Sequence, residues 1–173
     1  ISLSEKIEPL QHVTVYELSE SIEVGGQGVG TLIHRTYKKH IITGSSAGEV
    51  LAGGEGKDVL RGGGGPDGFL FQNPDGFGKK EADRIIDFDA REGDSLIVSE
   101  DVFDLNDRIL IKKVTGKKAA KKSDKAKEDF VYDDKKGFLY FNENGKEKGW
   151  GDGGLFVKLQ DAPELGVSDF TFL

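Results

Sequence analysis

Two nonapeptides stand back to back in this chain. Gly53-Gly54-Glu55-Gly56-Lys57-Asp58-Val59-Leu60-Arg61 runs directly into Gly62-Gly63-Gly64-Gly65-Pro66-Asp67-Gly68-Phe69-Leu70. Both fit G-G-x-G-x-D-x-U-x, with U a large apolar residue, which is the sequence form of a parallel β-roll carrying calcium at its turns. Glycine lets the backbone turn sharply and aim several carbonyl oxygens inward. The aspartate in sixth place adds a charged oxygen, and the apolar residue two places on points into the roll. A hard cation such as Ca²⁺ takes about six to eight oxygens. The chemistry on offer is cation binding by oxygen alone, coupled to folding.

The elements that must position these turns are short strands. Gly44-Ser45-Ser46-Ala47-Gly48-Glu49-Val50-Leu51-Ala52 reads as a degenerate repeat before the two intact ones, with Glu49 in the aspartate position and Ser45 and Ala47 in place of glycine. Phe71 to Gly78 keeps turn residues but loses the pattern. Three repeats are about the minimum that buries a continuous core, so other structure must cap the ends. The spacing predicts strands over His12–Leu18, Gly30–His34, Phe138–Phe141 and Gly154–Leu159, and two short strands joined by a polar turn over 82–98. The expected class is all-β. A short parallel β-roll at 44–79 is capped by an N-terminal β segment at 1–43 and by a C-terminal antiparallel, sandwich-like region at 80–173.

Composition narrows the partners. The chain has 173 residues, 36% of them hydrophobic, and 25 glycines. So thin an apolar share leaves room for help from a metal. A net charge of −7 argues against nucleic acid as a partner. The chain has no cysteine, which excludes disulfides and thiolate metal sites, and no apolar run approaches the length of a membrane span. No signal peptide is evident at the start, and the first residue is Ile1 rather than methionine, so the chain reads as a piece of a longer protein. Lysines crowd the stretch Lys112–Lys127. The plain reading is a solvated loop or exposed helix; the sharper one is a contact with an anionic cell surface.

With the repeats and flanks placed, the chain resembles the RTX (repeats-in-toxin) family, and more narrowly the C-terminal module of serralysin-type secreted metalloproteases. The resemblance covers roughly 41–173. It rests on the entry Ile42-Thr43-Gly44-Ser45, the strand Phe69-Leu70-Phe71 after the last repeat, and the segment Ala82-Asp83-Arg84-Ile85-Ile86-Asp87-Phe88 followed by Gly93-Asp94-Ser95-Leu96. The tail Ser168-Asp169-Phe170-Thr171-Phe172-Leu173 is similar to the uncleaved signal, here 168–173, read by type I ABC exporters. The resemblance implies a secreted or cell-surface, noncatalytic calcium-binding module attached to a larger secreted protein. The alternative is a structural or adhesive cell-surface domain stiffened by calcium. Residues 1–43 match nothing in that family, and the lysine-rich stretch stands as an insertion.

In an RTX roll one coil takes two nonapeptides, so turns on the same edge lie two repeats apart. That pairs the Glu49 turn with the Asp67 turn, and the Asp58 turn with residues in the stretch 71–83. One Ca²⁺ site is then expected from the carbonyls of Ser45, Ala47, Gly63 and Gly65, beside Gly62, with the carboxylates of Glu49 and Asp67. A second takes Asp58 and the carbonyls of Gly53, Gly54 and Gly56, with Asp83 and Asp75.

Enzyme readings are weaker. Gly93-Asp94-Ser95-Leu96 spells the motif of an esterase family, but that chemistry needs a histidine to activate the serine, and in that family it lies near the C-terminus. All three histidines (His12, His34, His40) precede the motif. The family's protease activity is not carried over, because no H-E-x-x-H motif occurs. His34 and His40, six apart near Tyr37, read as surface or strand histidines rather than a zinc site. Gly25-Gly26-Gln27-Gly28-Val29-Gly30 lacks the lysine of a phosphate loop and reads as a β-turn.

Overall fold

A computed structural model describes residues 21–23, 31–33, 39–71, 76–103, 105, 109–116 and 127–173. Strands of three or four residues carry the chain back and forth between two sheets. The first sheet receives β1 (Ser21–Glu23), β3 (Ile41–Thr43), β5 (Val59–Arg61) and β7 (Asp83–Ile85). The second receives β2 (Thr31–Ile33), β4 (Val50–Ala52), β6 (Gly68–Phe71) and β8 (Ser95–Val98). Within each sheet these strands pair in parallel with the strand one coil away.

The apolar residue of each repeat explains the coil. Ile42, Leu60 and Ile85 stack across the first sheet, and Leu51, Phe69 and Leu96 across the second. All six are fully buried and belong to one core between the sheets. Burying such a side chain stabilises by about 1.5–3 kcal/mol. A three-residue strand has little else to hold it, so the stack of neighbouring coils is what makes each strand stable.

The C-terminal strands do not form a sandwich of their own; they extend the same two sheets. After a single helical turn, α1 (Glu100–Phe103), come β9 (Ile111–Val114), β10 (Phe130–Asp133), β11 (Phe138–Phe141), β12 (Gly154–Leu159) and β13 (Phe170–Phe172). The first sheet runs β1-β3-β5-β7-β12-β11-β10-β9 and is mixed; β12, β11 and β10 are antiparallel neighbours. The second runs β13-β8-β6-β4-β2 and is wholly parallel. The fold is all-β. Aromatic packing closes this end: Phe103 lies edge-on to Phe141 at 5.0 Å, and Phe71 edge-on to Phe156 at 5.2 Å. Edge-to-face pairs of this kind add to the stabilisation from burial.

Two local expectations shift. Lys112 and Lys113 lie within strand β9, parallel to β10, rather than in a loop or helix. Their stretch from Lys117 to Lys125, like the expected strand at His12–Leu18, lies outside the described residues. The N-terminal strands Ser21–Glu23 and Thr31–Ile33 pair directly with β3 and β4, so they share sheets with the repeats.

Candidate metal centre

Each acidic position of the repeat sits immediately before a strand or at its first residue, so the coil stacks these positions in two columns. On one edge His40, Asp58 and Asp83 succeed one another; on the other, Glu49, Asp67 and Asp94. Within each column a carboxylate accepts the backbone N–H of the residue one coil below. Asp58 Oδ1 accepts from His40 N at 2.7 Å, and Asp83 Oδ1 from Asp58 N at 2.7 Å. On the other edge Asp67 Oδ1 accepts from Glu49 N at 2.9 Å, and Asp94 Oδ1 from Asp67 N at 3.0 Å. Glu49, Asp58, Asp67, Asp83 and Asp94 are all buried.

The glycines allow this stacking. Gly54, Gly56, Gly63 and Gly65 hold φ between 83° and 102°, the left-handed region that side chains other than glycine's rarely enter. At Gly53 and Gly62 the requirement is room. A Cβ there would sit on the carboxylate of Asp58 or Asp67, which folds back over its own turn. The degenerate turn is built differently. Neither Ser45 nor Ala47 has positive φ. Glu49 instead accepts from the Ser45 N–H at 3.1 Å and from the Ser45 hydroxyl, and that hydroxyl accepts the Ala47 N–H at 3.1 Å. The Ser45 carbonyl already accepts the Gly64 N–H at 3.0 Å.

Stacking like charges in a dry place shows in their protonation. Burial first, then the neighbouring charges of Asp94, Glu49 and Asp87, push the Asp67 carboxyl up to about 7, against the lowering by the Glu49 N–H. Burial likewise holds Asp83 well above the usual carboxylate range, with the Asp58 charge adding to it, and raises Asp94. A cation placed beside such groups would favour their ionised form. The donors are oxygen throughout, which suits a hard cation. Among the described residues no three His, Cys, Asp or Glu side chains converge on one point. An ion at these turns must therefore draw its remaining oxygens from backbone carbonyls, and the glycine turns are rich in them. The residues present fit Ca²⁺ on that count.

The structure thus brings Glu49 to Asp67 and Asp58 to Asp83 across adjacent coils. Asp75 lies outside the described residues. Three neighbours escape the sequence reading as partners. Asp94 completes the Asp67 column. Asp87 accepts the N–H groups of Gly62 and Gly63, both at 3.0 Å. His40 adds its ring Nδ1 to Asp58 Oδ1 at 3.1 Å. The nine-residue step back from Glu49 lands on His40 and is the signal that could find it. As for the esterase motif, Asp94 is occupied by the N–H groups of Asp67 and Asp89, while His40 stands in the opposite column from Ser95. Compared with family models, curated proteins and solved structures, the chain finds no match in any of the three.

Proposed function

We propose that the chain is a noncatalytic calcium-binding module of the RTX type: a short parallel β-roll that folds on binding Ca²⁺ outside the cell and serves a larger secreted protein. The observation that carries this reading is the stack of buried carboxylates Glu49, Asp67 and Asp94 beside glycine turns held at positive φ. Asp67 and Glu49, with carbonyls of Gly63 and Gly65, would hold one ion; Asp58 and Asp83, with carbonyls of Gly53, Gly54 and Gly56, another. When bound, calcium supplies the positive charge that the columns lack. The chain's own residues do the rest: glycines bend the turns, carboxylates clamp the coil below by its N–H groups, and the apolar stacks exclude water.

The tail fits the same reading. Phe170 is buried, and Phe170–Phe172 pairs with β8 as the last strand of the second sheet. An exporter that recognises residues 168–173 must therefore meet them before the module folds. Low cytoplasmic calcium would keep the chain open, and extracellular calcium would close it. Extracellular calcium modules bind with Kd of about 10⁻⁴–10⁻³ M. At about ten times Kd each site adds roughly 1.4 kcal/mol to folding, a large part of a marginal domain's stability.

The test is far-UV circular dichroism during a calcium titration, with magnesium as control. A rise of β structure between submillimolar and millimolar calcium, absent with magnesium, supports the module. A full β spectrum in chelator, unchanged by calcium, refutes calcium-coupled folding.

A further inference from the structure

The outward face of the first sheet carries a second arrangement, remote in chemistry from the acidic turns. Arg84, Lys158 and Phe138 stand directly opposite one another across β7, β12 and β11, so all three side chains share that face. With Lys135, Lys136 and Gln160 they line an open cleft of about 540 Å³, which Asp161 and Ala162 also border. Like charges placed directly opposite destabilise a sheet, yet Arg84 and Lys158 are neighbours in register. Among the described residues neither they nor Lys135 forms an ion pair. Lys136 and Lys158 each lie 5.9 Å from the Phe138 ring centre. The Arg84 guanidinium is steadied by a hydrogen bond to Gln160 Oε1, which leaves most of its fork for another acceptor.

The backbone beside the cleft is strained. Asp161 and Ala162 hold φ of 61° and 50°, the two non-glycine residues at positive φ among the described ones. The opposing turn needs Gly137, where a Cβ would strike the Leu159 carbonyl. Strain of this kind gathers where a surface has a task beyond folding.

An aromatic strip leads away from the cations on the same face. Phe138 meets Tyr140 edge-on at 6.4 Å, and Tyr140 is stacked with Trp150 at 4.9 Å and 8°. These rings belong to a small cluster separate from the main core, and Phe138 and Trp150 are partly exposed. Aromatic faces beside water suit ligands with one apolar and one wet side. A concentration of cations in a chain of net charge −7 selects an acidic one.

We propose that this face binds an anionic oligosaccharide. Its carboxylate or sulfate groups pair with Arg84, Lys135 and Lys158, its hydroxyls reach Gln160 and Asp161, and its ring faces lie along Phe138 and Trp150. The cleft is of the size that takes a small ligand, and its openness lets a chain continue past it. The inference stands apart from the calcium reading, since none of these residues belongs to the acidic columns.

Trp150 is the one tryptophan of the chain, so its fluorescence reports this face alone. The full chain, in millimolar calcium and with its β spectrum checked, is titrated with a sulfated tetrasaccharide, a uronate tetrasaccharide and a neutral glucose tetrasaccharide. The expected result is a saturable change of Trp150 emission with at least one acidic probe and none with the neutral one; which acidic probe binds identifies the source of the charge. The double variant Arg84→Gln, Lys158→Gln, with an unchanged β spectrum, binds at least about tenfold more weakly, as loss of two charge contacts requires. Trp150→Phe, tested by calorimetry, probes the strip and should also bind more weakly. No binding of either acidic probe by fluorescence or calorimetry, equal binding of the neutral probe, or unchanged affinity in the double variant overturns the proposal.

Discussion

Glu49 and Asp67, two repeats apart in the chain, are joined by one hydrogen bond: the Glu49 N–H donates to Asp67 Oδ1 at 2.9 Å. That contact ties one coil to the next and places two carboxylates in the same buried column. It gives Asp67 two separable roles, a structural acceptor and a charge.

Asp67→Asn separates them. The amide oxygen can still accept from Glu49, but the charge is gone. In chelator the variant should unfold at the same or a higher temperature than the parent, because repulsion with Glu49 and Asp94 is relieved. The stabilisation by millimolar calcium should shrink by roughly 1–2 kcal/mol, the worth of about one site. Calorimetric unfolding with and without calcium checks both halves.

The pH dependence comes from the raised carboxyls. In the folded chain Asp67 titrates at about 7, well above its ordinary value, and Asp83 and Asp94 are also raised. The native state therefore holds protons that the unfolded state has released, and stability falls as pH rises from about 4 through 7. Calcium replaces those protons, so the decline should flatten in its presence. Denaturant unfolding at pH 5, 6, 7 and 8, in chelator and in calcium, reads the two slopes.

Glycine substitutions should be sharply unequal. A Cβ at Gly62 falls on the Asp67 carboxylate, whereas one at Gly64 meets nothing closer than Ser46 Cα at 3.8 Å. Gly62→Ala should cost about 1–3 kcal/mol, as overpacking does, and should lower calcium affinity because Asp67 must swing away. Gly64→Ala should stay within about 0.5 kcal/mol of the parent. Chemical denaturation at fixed calcium distinguishes the two.

The core stacks set a floor that calcium cannot lift. Leu60 is fully buried between Ile42 and Ile85. Leu60→Ala should cost about 2–5 kcal/mol, enough that circular dichroism shows reduced β structure even at saturating calcium.

How far the fold can be read depends on the period. While the nine-residue step holds, from Gly44 to Leu70, it yields the strands, the buried column and the pairing of Glu49 with Asp67. Beyond it the offsets lengthen to 25 for Asp58 with Asp83 and 27 for Asp67 with Asp94. No local pattern announces such an offset, so Asp83 is reached through the family resemblance, and Asp94, though it stands in the Gly93-Asp94-Ser95-Leu96 segment of that resemblance, is not picked out as a partner of Asp67. Ser21–Glu23 offers Ile22 as its one apolar residue, and only pairing with Ile41–Thr43 makes it a strand. The C-terminal strands join sheets begun some seventy residues or more earlier, as β12 does with β7. Such pairing is decided by long-range packing rather than by local spacing. The row of Arg84, Lys158 and Phe138 is hidden for the same reason: its members are scattered in sequence and meet only across the sheet.

The central claim is that the acidic columns bind calcium, and direct binding tests it most plainly. Isothermal titration of the chelator-stripped chain with CaCl₂ should give saturable binding with Kd of about 10⁻⁴–10⁻³ M, and magnesium should give little. In Asp67→Asn part of that binding should be lost. No saturable calcium binding up to about 10 mM, well beyond the range of extracellular calcium modules, or equal binding of magnesium, would contradict the account.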